Sequence, residues 1–92
     1  MRIAVIGLGY VGCVTGACLA RMGHQVCGVD ISSTKVRMIN DGVSPIFEKG
    51  LQGLIARAVR EGGLRASLRA EEAVRGADLS MVCVGTPSRR DG

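Results

Sequence analysis

The chain opens on Ile3-Ala4-Val5-Ile6, a continuous apolar run with β-branched residues at three of its four positions. A strand with one wet face would alternate, so this run predicts a strand covered on both faces, central in a parallel sheet. Gly7-Leu8-Gly9-Tyr10-Val11-Gly12 then turns the chain, and Val11, Val14, Cys18 and Met22 recur at helical spacing until Gly23 stops the helix. Gln25-Val26-Cys27-Gly28-Val29-Asp30 reads as a second strand that ends on a carboxylate. Ser32 suits the N-cap of a short helix that buries Val36 and Ile39 and ends at Asn40-Asp41-Gly42. Beyond a loop with Ser44-Pro45, residues Leu51, Leu54, Ile55, Ala58 and Val59 share one face of a third helix, closed by Gly62-Gly63. Leu64-Arg65-Ala66-Ser67-Leu68 is an edge-strand candidate. Glu71-Glu72-Ala73-Val74 forms a short helix with acids in its first turn, where the dipole favours them. Asp78-Leu79-Ser80-Met81-Val82-Cys83-Val84 makes a fourth strand that delivers Gly85-Thr86-Pro87 to its C-terminal end, and Ser88-Arg89-Arg90-Asp91-Gly92 has no periodicity.

Strands alternating with helices imply an α/β architecture with right-handed crossovers. The expected fold is a partial Rossmann-like doubly wound parallel sheet of about four strands in the order 3-2-1-4. Such a fold continues past its fourth strand with further βα units, so the 92 residues are expected to open a longer domain. The free edge beside the fourth strand would invite pairing with another chain, and a homo-oligomer is expected.

Composition narrows the function classes. At 47% hydrophobic and 22% charged, with 14 glycines, the chain is globular rather than disordered. The net charge of +4 is not concentrated: residues 1–50 carry five basic against three acidic side chains, and residues 51–92 seven against five. With Tyr10 and Phe47 as the only aromatics, nucleic-acid binding is not expected, and the basic excess reads as solvated surface. No apolar stretch approaches the roughly 18 residues that spanning a membrane needs. Cys13, Cys18, Cys27 and Cys83 contain no CxxC pair and read as small buried hydrophobes of a reducing cytoplasm rather than metal ligands or reactive thiols.

The chemistry lies in the glycine loop. GxGxxG alone is weak, but here it follows a buried strand, opens a helix, and is answered by Asp30 at the end of the next strand, 23 residues after Gly7. Gly7 makes the tight turn, Gly9 lets the backbone approach a pyrophosphate, and Gly12 lets the helix pack closely on the strand, with Gly16 extending that small face. The helix N-terminus offers free N–H groups and its positive dipole end to phosphates. Asp30 would accept hydrogen bonds from the adenosine ribose hydroxyls and repel a 2′-phosphate, which favours NAD over NADP.

Other residues stay open on pattern alone. Lys35 sits against the dipole in the first turn of its helix, which a ligand anion or ribose edge would explain, as would a solvated surface lysine. Thr86, held extended by Pro87, faces either a ligand at the topological switch point or a plain strand-ending turn. Tyr10 covers the cofactor or packs outward. His24 reads as a surface or turn histidine rather than a general base, and Glu48 as a cap of the third helix.

Together, Gly7-Leu8-Gly9-Tyr10-Val11-Gly12, Gly23-His24, Val29-Asp30, Ser44-Pro45-Ile46-Phe47-Glu48-Lys49-Gly50-Leu51 and Val84-Gly85-Thr86-Pro87 resemble the N-terminal segment of the UDP-glucose/GDP-mannose dehydrogenase family. Asp30-Ile31-Ser32-Ser33-Thr34-Lys35 and Ser80-Met81-Val82-Cys83-Val84-Gly85-Thr86-Pro87-Ser88 resemble its GDP-mannose 6-dehydrogenases more than its UDP-glucose enzymes. Lys49 departs from the proline usual in the family. The resemblance implies a parent enzyme that oxidises the C6 alcohol of a nucleotide sugar to a carboxylate with two NAD. Residues 1–92 would be the N-terminal part of its NAD-binding Rossmann domain, with the substrate and C-terminal domains outside the sequence. It places cofactor contacts on Tyr10, Val11, Asp30, Lys35 and Thr86, beside the glycines 7, 9 and 12. The family's catalytic cysteine matches none of the four here, so no catalytic residue is expected in this segment, and the segment alone is expected to be inactive.

Overall fold

The computed structural model describes residues 1–83. The expected end of the fourth strand at Val84, and Thr86 with its neighbours, lie outside the described residues. Four parallel strands, β1 (Arg2–Ile6), β2 (Gln25–Val29), β3 (Leu64–Ser67) and β4 (Leu79–Val82), form one sheet in the order β3-β2-β1-β4. Between them run α1 (Tyr10–Arg21), α2 (Ser33–Asn40), α3 (Leu51–Arg60) and α4 (Ala70–Arg75). The 3-2-1-4 order is the one read from the alternating sequence patterns.

The opening apolar run is covered on both faces: Ile3, Ala4 and Val5 are 3%, 0% and 0% exposed. Successive strand residues point to opposite sides. Ile3, Val5, Val26 and Leu64 therefore join Cys13, Ala17, Val36, Ile39, Leu51, Ile55 and Ala58 in the larger core under α1, α2 and α3. Ala4, Cys27 and Val29 meet Ala73 of α4 in a smaller core on the other side. β1 and β4 are also pinned at their starts, where Asp78 N–H donates to the Arg2 carbonyl at 2.7 Å and Arg2 N–H donates to Asp78 Oδ2 at 2.8 Å.

One helix face differs from expectation. The spacing of Val11, Val14, Cys18 and Met22 suggested the buried stripe of α1, yet Val11, Cys18 and Met22 are exposed and the buried residues are Gly12, Cys13, Gly16 and Ala17. The reason is proximity: a helix that lies close on its sheet packs through its smallest side chains, and the larger ones are turned outward. Cys18 is therefore exposed and Cys83 half-buried, and of the four cysteines only Cys13 and Cys27 are the buried hydrophobes expected.

The outer edge of β3 is closed by a side chain. Asn40, the last residue of α2, donates from Nδ2 to the Ala66 carbonyl at 3.0 Å and accepts from Ala66 N–H at 2.8 Å, so its amide stands where a neighbouring strand's peptide would. At the other edge, β4 carries exposed Leu79 and Val82 and pairs outward with nothing among the described residues. Among the described residues no helix is long and apolar enough to cross a membrane.

Replacing Asn40 with Ala strips β3 of both partners. At roughly 0.5–1.5 kcal/mol net for each of the two hydrogen bonds, the variant is expected to lose about 1–3 kcal/mol of unfolding free energy in urea titrations. An unchanged midpoint would show that water replaces the amide without cost.

Candidate functional site

The C-terminal end of β1 runs directly into the glycine loop. Gly7 has φ of 107°, a conformation that glycine adopts without strain, and its N–H donates to the Val29 carbonyl at 2.7 Å, so the loop leaves the sheet still tied to β2. Gly12 lies against the turn so closely that a Cβ there would sit 1.7 Å from the Gly7 carbonyl oxygen. That contact fixes how α1 meets β1. Gly9 is different: as the N-cap of α1 it has φ of −79°, and a Cβ built on it meets nothing within 4 Å. Nothing among the described residues requires glycine at this position.

The first turn of α1 is an open cradle for an anion. No side chain caps it, it contains no acid, and among the described residues the N–H groups of Tyr10, Val11 and Gly12 find no acceptor. Helix N-termini carry positive potential from their aligned peptides, which an anion complements. Tyr10 and Val11 project from this turn, 52% and 59% exposed.

Asp30 follows β2 at the same end of the sheet. Its Oδ2 accepts from Leu8 N–H at 2.9 Å and its Oδ1 from Ser32 N–H at 2.9 Å, so one carboxylate joins the glycine loop to the mouth of α2. Partial burial works to raise its pKa, but the backbone donors Leu8 and Ser32, the Lys35 charge and the Ile31 N–H outweigh it and hold the carboxyl below its ordinary 3.8. Lys35, half-buried in the first turn of α2, has its N–H bonded to Ser32 Oγ at 3.2 Å, and its ammonium acts on both Asp30 and Cys13. The cation tolerated at this helix start is thus answered by the Asp30 carboxylate. Gly7, Gly9, Tyr10, Val11, Gly12, Asp30 and Lys35 are gathered at one end of the sheet, and Thr86 is outside the described residues.

The remaining candidates fall away from this crevice. His24 is a half-buried turn residue at the opposite end of the sheet, its Nδ1 without a hydrogen-bond partner among the described residues. The side chain of Glu48 does not cap α3, whose N-cap is Gly50; the Glu48 carbonyl accepts from Leu51 N–H at 3.1 Å. Gln52 does the holding instead, accepting from Ser44 N–H at 2.7 Å and donating to the Gly42 carbonyl at 2.9 Å. Lys49 is exposed, on the outer side of that turn. Cys13 donates to the Leu8 carbonyl at 3.4 Å, and burial pushes its thiol up to about 11, with Lys35 lowering it and Asp30 raising it. Burial raises Cys27 as well. Both are protonated at neutral pH and inert. No group of His, Cys, Asp or Glu among the described residues could hold a metal ion. A concavity of about 330 Å³, lined in part by Arg2, Gln25, Arg65 and Glu72, opens at the far end of the sheet, away from the glycine loop.

Three residues of the crevice escaped the sequence reading. Leu8 is 2% exposed, its side chain seated over Gly28 so tightly that a Cβ on Gly28 would lie 2.6 Å from Leu8 Cδ2. A lone glycine inside a strand signals such an approach. Ile31, beside Asp30, is 99% exposed, and no periodicity marks it.

Residues 1–92 match the family model described as the NAD binding domain of the UDP-glucose/GDP-mannose dehydrogenase family. The chain is 54% identical over its full length to a GDP-mannose 6-dehydrogenase of Pseudomonas syringae and covers 21% of that protein. It is 42% identical to a UDP-glucose 6-dehydrogenase of Bacillus subtilis, again over the full chain and 21% of the relative. A ternary complex of GDP-mannose dehydrogenase from Pseudomonas aeruginosa superposes with a TM-score of 0.94 at 49% identity, covering all of this chain and 21% of that one. A UDP-glucose dehydrogenase from Pyrobaculum islandicum follows at 0.90 and 39%, with 97% and 21% coverage. The chain thus spans about a fifth of the length of the relatives it matches.

Two outcomes follow from the geometry. Gly12→Ala must push α1 off the Gly7 carbonyl, and chemical denaturation should show a loss of about 3 kcal/mol or more, the upper end for overpacking. Because the folded Asp30 carboxyl is held below 3.8, its contribution to stability is complete above about pH 5 and declines as pH falls through 3.8 and then through the lower folded value. Thermal unfolding followed from pH 6 to pH 2.5 should therefore show a steeper acid loss in the wild type than in Asp30→Asn; parallel curves would contradict the assignment.

Proposed function

Because the chain belongs to the UDP-glucose/GDP-mannose dehydrogenase family and matches its NAD-binding domain, we propose that the crevice at the C-terminal end of β1 and β2 holds NAD and that the parent protein oxidises GDP-mannose to GDP-mannuronate. The observation that carries the cofactor reading is Gly9, a glycine that nothing among the described residues demands, standing over an uncapped helix start with no acid in its first turn. Gly7 turns the chain, Gly12 brings α1 against it, and the Tyr10 and Val11 N–H groups meet the diphosphate. Asp30, ionised at neutral pH, accepts from the adenosine ribose hydroxyls and disfavours a 2′-phosphate, which is the basis for NAD over NADP. Lys35 lies at the ribose edge beside Asp30, the exposed ring of Tyr10 borders the phosphate cradle, and Thr86 is assigned to the crevice by resemblance to the family.

When bound, NAD would supply the hydride acceptor, two equivalents taking two hydrides while one water supplies the second oxygen and three protons are released as the C6 alcohol becomes the carboxylate. The residues of this segment bind and orient the cofactor, and the segment alone is inactive. The choice of GDP-mannose is supported by the higher identity to GDP-mannose 6-dehydrogenases, 54% against 42% for a UDP-glucose 6-dehydrogenase. A cytoplasmic location is supported by the free thiols among the described residues.

Gly9→Ala tests this directly. Alanine fits the backbone and meets nothing, so the thermal midpoint should be unchanged or slightly raised. Titration calorimetry should nevertheless show NAD affinity lost by tenfold or more, about 1.4 kcal/mol, as the methyl fills the approach to the diphosphate. NAD should bind the wild type more tightly than NADP. Equal NAD affinity in Gly9→Ala, or tighter binding of NADP, would overturn the reading.

A further inference from the structure

The ribose reading assigns Asp30 to the cofactor, yet both carboxylate oxygens are already engaged by the chain, one by Leu8 N–H and the other by Ser32 N–H, each at 2.9 Å. Leu8 is the residue between the first two glycines of the loop. The end of β2 and the residue after it hold that loop through three consecutive residues: Gly28 makes room for the Leu8 side chain, the Val29 carbonyl accepts from Gly7 N–H at 2.7 Å, and Asp30 accepts from Leu8 N–H. Of the two hydrogen bonds, the one from Leu8 N–H to the carboxylate is the one a side-chain substitution can remove. Each oxygen of an ionised carboxylate has a second lone pair, so holding Leu8 and Ser32 leaves acceptor capacity for ribose hydroxyls.

We infer that Asp30 is a positioning residue for the phosphate-binding loop as well as a reader of the ribose, so that diphosphate affinity and the choice between NAD and NADP are coupled through one carboxylate. The inference rests on the NAD reading of the crevice. Its consequence is that exchanging Asp30 for a small neutral residue, the obvious route to accepting a 2′-phosphate, also frees Leu8 and loosens the loop. Simple electrostatics gives the opposite sign, because removing a negative charge near a diphosphate should strengthen binding.

The probe is 2′,3′-dideoxy-ADP, which keeps the diphosphate and lacks both hydroxyls that Asp30 would read. Asp30→Ser is expected to bind it about tenfold more weakly than the wild type in calorimetry below the unfolding midpoint, the worth of one hydrogen bond to a charged group. Asp30→Asn, isosteric and still able to accept from one of the two N–H groups, should show a smaller loss and guards against failure of the serine variant to fold. In the absence of nucleotide, the Leu8 amide should exchange with solvent about tenfold faster in Asp30→Ser. Undiminished dideoxy-ADP affinity in both variants, or unchanged Leu8 exchange, would overturn the positioning role. Failure of the wild type to bind NAD would instead overturn the functional reading, with Leu8 exchange still deciding the loop's dependence on Asp30.

Discussion

The meeting of Gly12 with the Gly7 carbonyl is the constraint on which the site depends. A side chain there would lie 1.7 Å from a backbone oxygen, so α1 can start where it does only because position 12 has none. Once that distance is set, Cys13, Gly16 and Ala17 follow onto the sheet, and the first turn of α1 stops above the ends of β1 and β2 with its N–H groups facing outward. The core and the cradle are therefore one arrangement. Loosening the packing of α1 moves the donors by the same amount.

This explains which parts of the fold were legible in the sequence. The buried character of β1, the N-cap of α2, the faces of α2 and α3, and the strand order all follow from runs, spacings and turn residues that act locally. The buried face of α1 did not, because apolar spacing marks where large hydrophobic side chains recur, whereas a helix in close contact is buried through its smallest ones. Val11 and Met22 stand on the exposed side as a result. The hold on the α3 loop was misplaced for a related reason: Glu48 and Gln52 are both within reach of the turn by spacing, and only the path of the loop decides that Gln52 meets Gly42 and Ser44.

Asp30 shows what a motif conveys and what it leaves out. Its position 23 residues after Gly7 marked it as a ribose reader, and the structure sets it at the expected end of β2. The bond to Leu8 spans 22 residues and arises only when β1 and β2 pair in register, so no local pattern announces it. Lys35 gains meaning from the same meeting. A cation in the first turn of a helix is unfavourable alone, and here it is opposed by a carboxylate whose ionisation the backbone donors already secure.

Among the described residues, the distribution of charge at the crevice suits the proposed dinucleotide through backbone groups rather than a basic side chain at the first turn of α1. The anion-binding potential at α1 comes from backbone groups, which cannot be neutralised by pH and need no side-chain ordering on binding. Among the described residues, the carboxylate at the site, Asp30, sits at the β2 side, anchored by Leu8 and Ser32, rather than in the first turn of α1, which contains no acid. In the proposed binding mode, positive potential and negative charge would thus be separated along the length of the nucleotide, diphosphate toward α1 and ribose toward Asp30, with the Leu8 N–H joining the two regions. A ligand with its anion and its hydroxyls at that separation satisfies both, and one carrying a second anion at the ribose meets Asp30 instead.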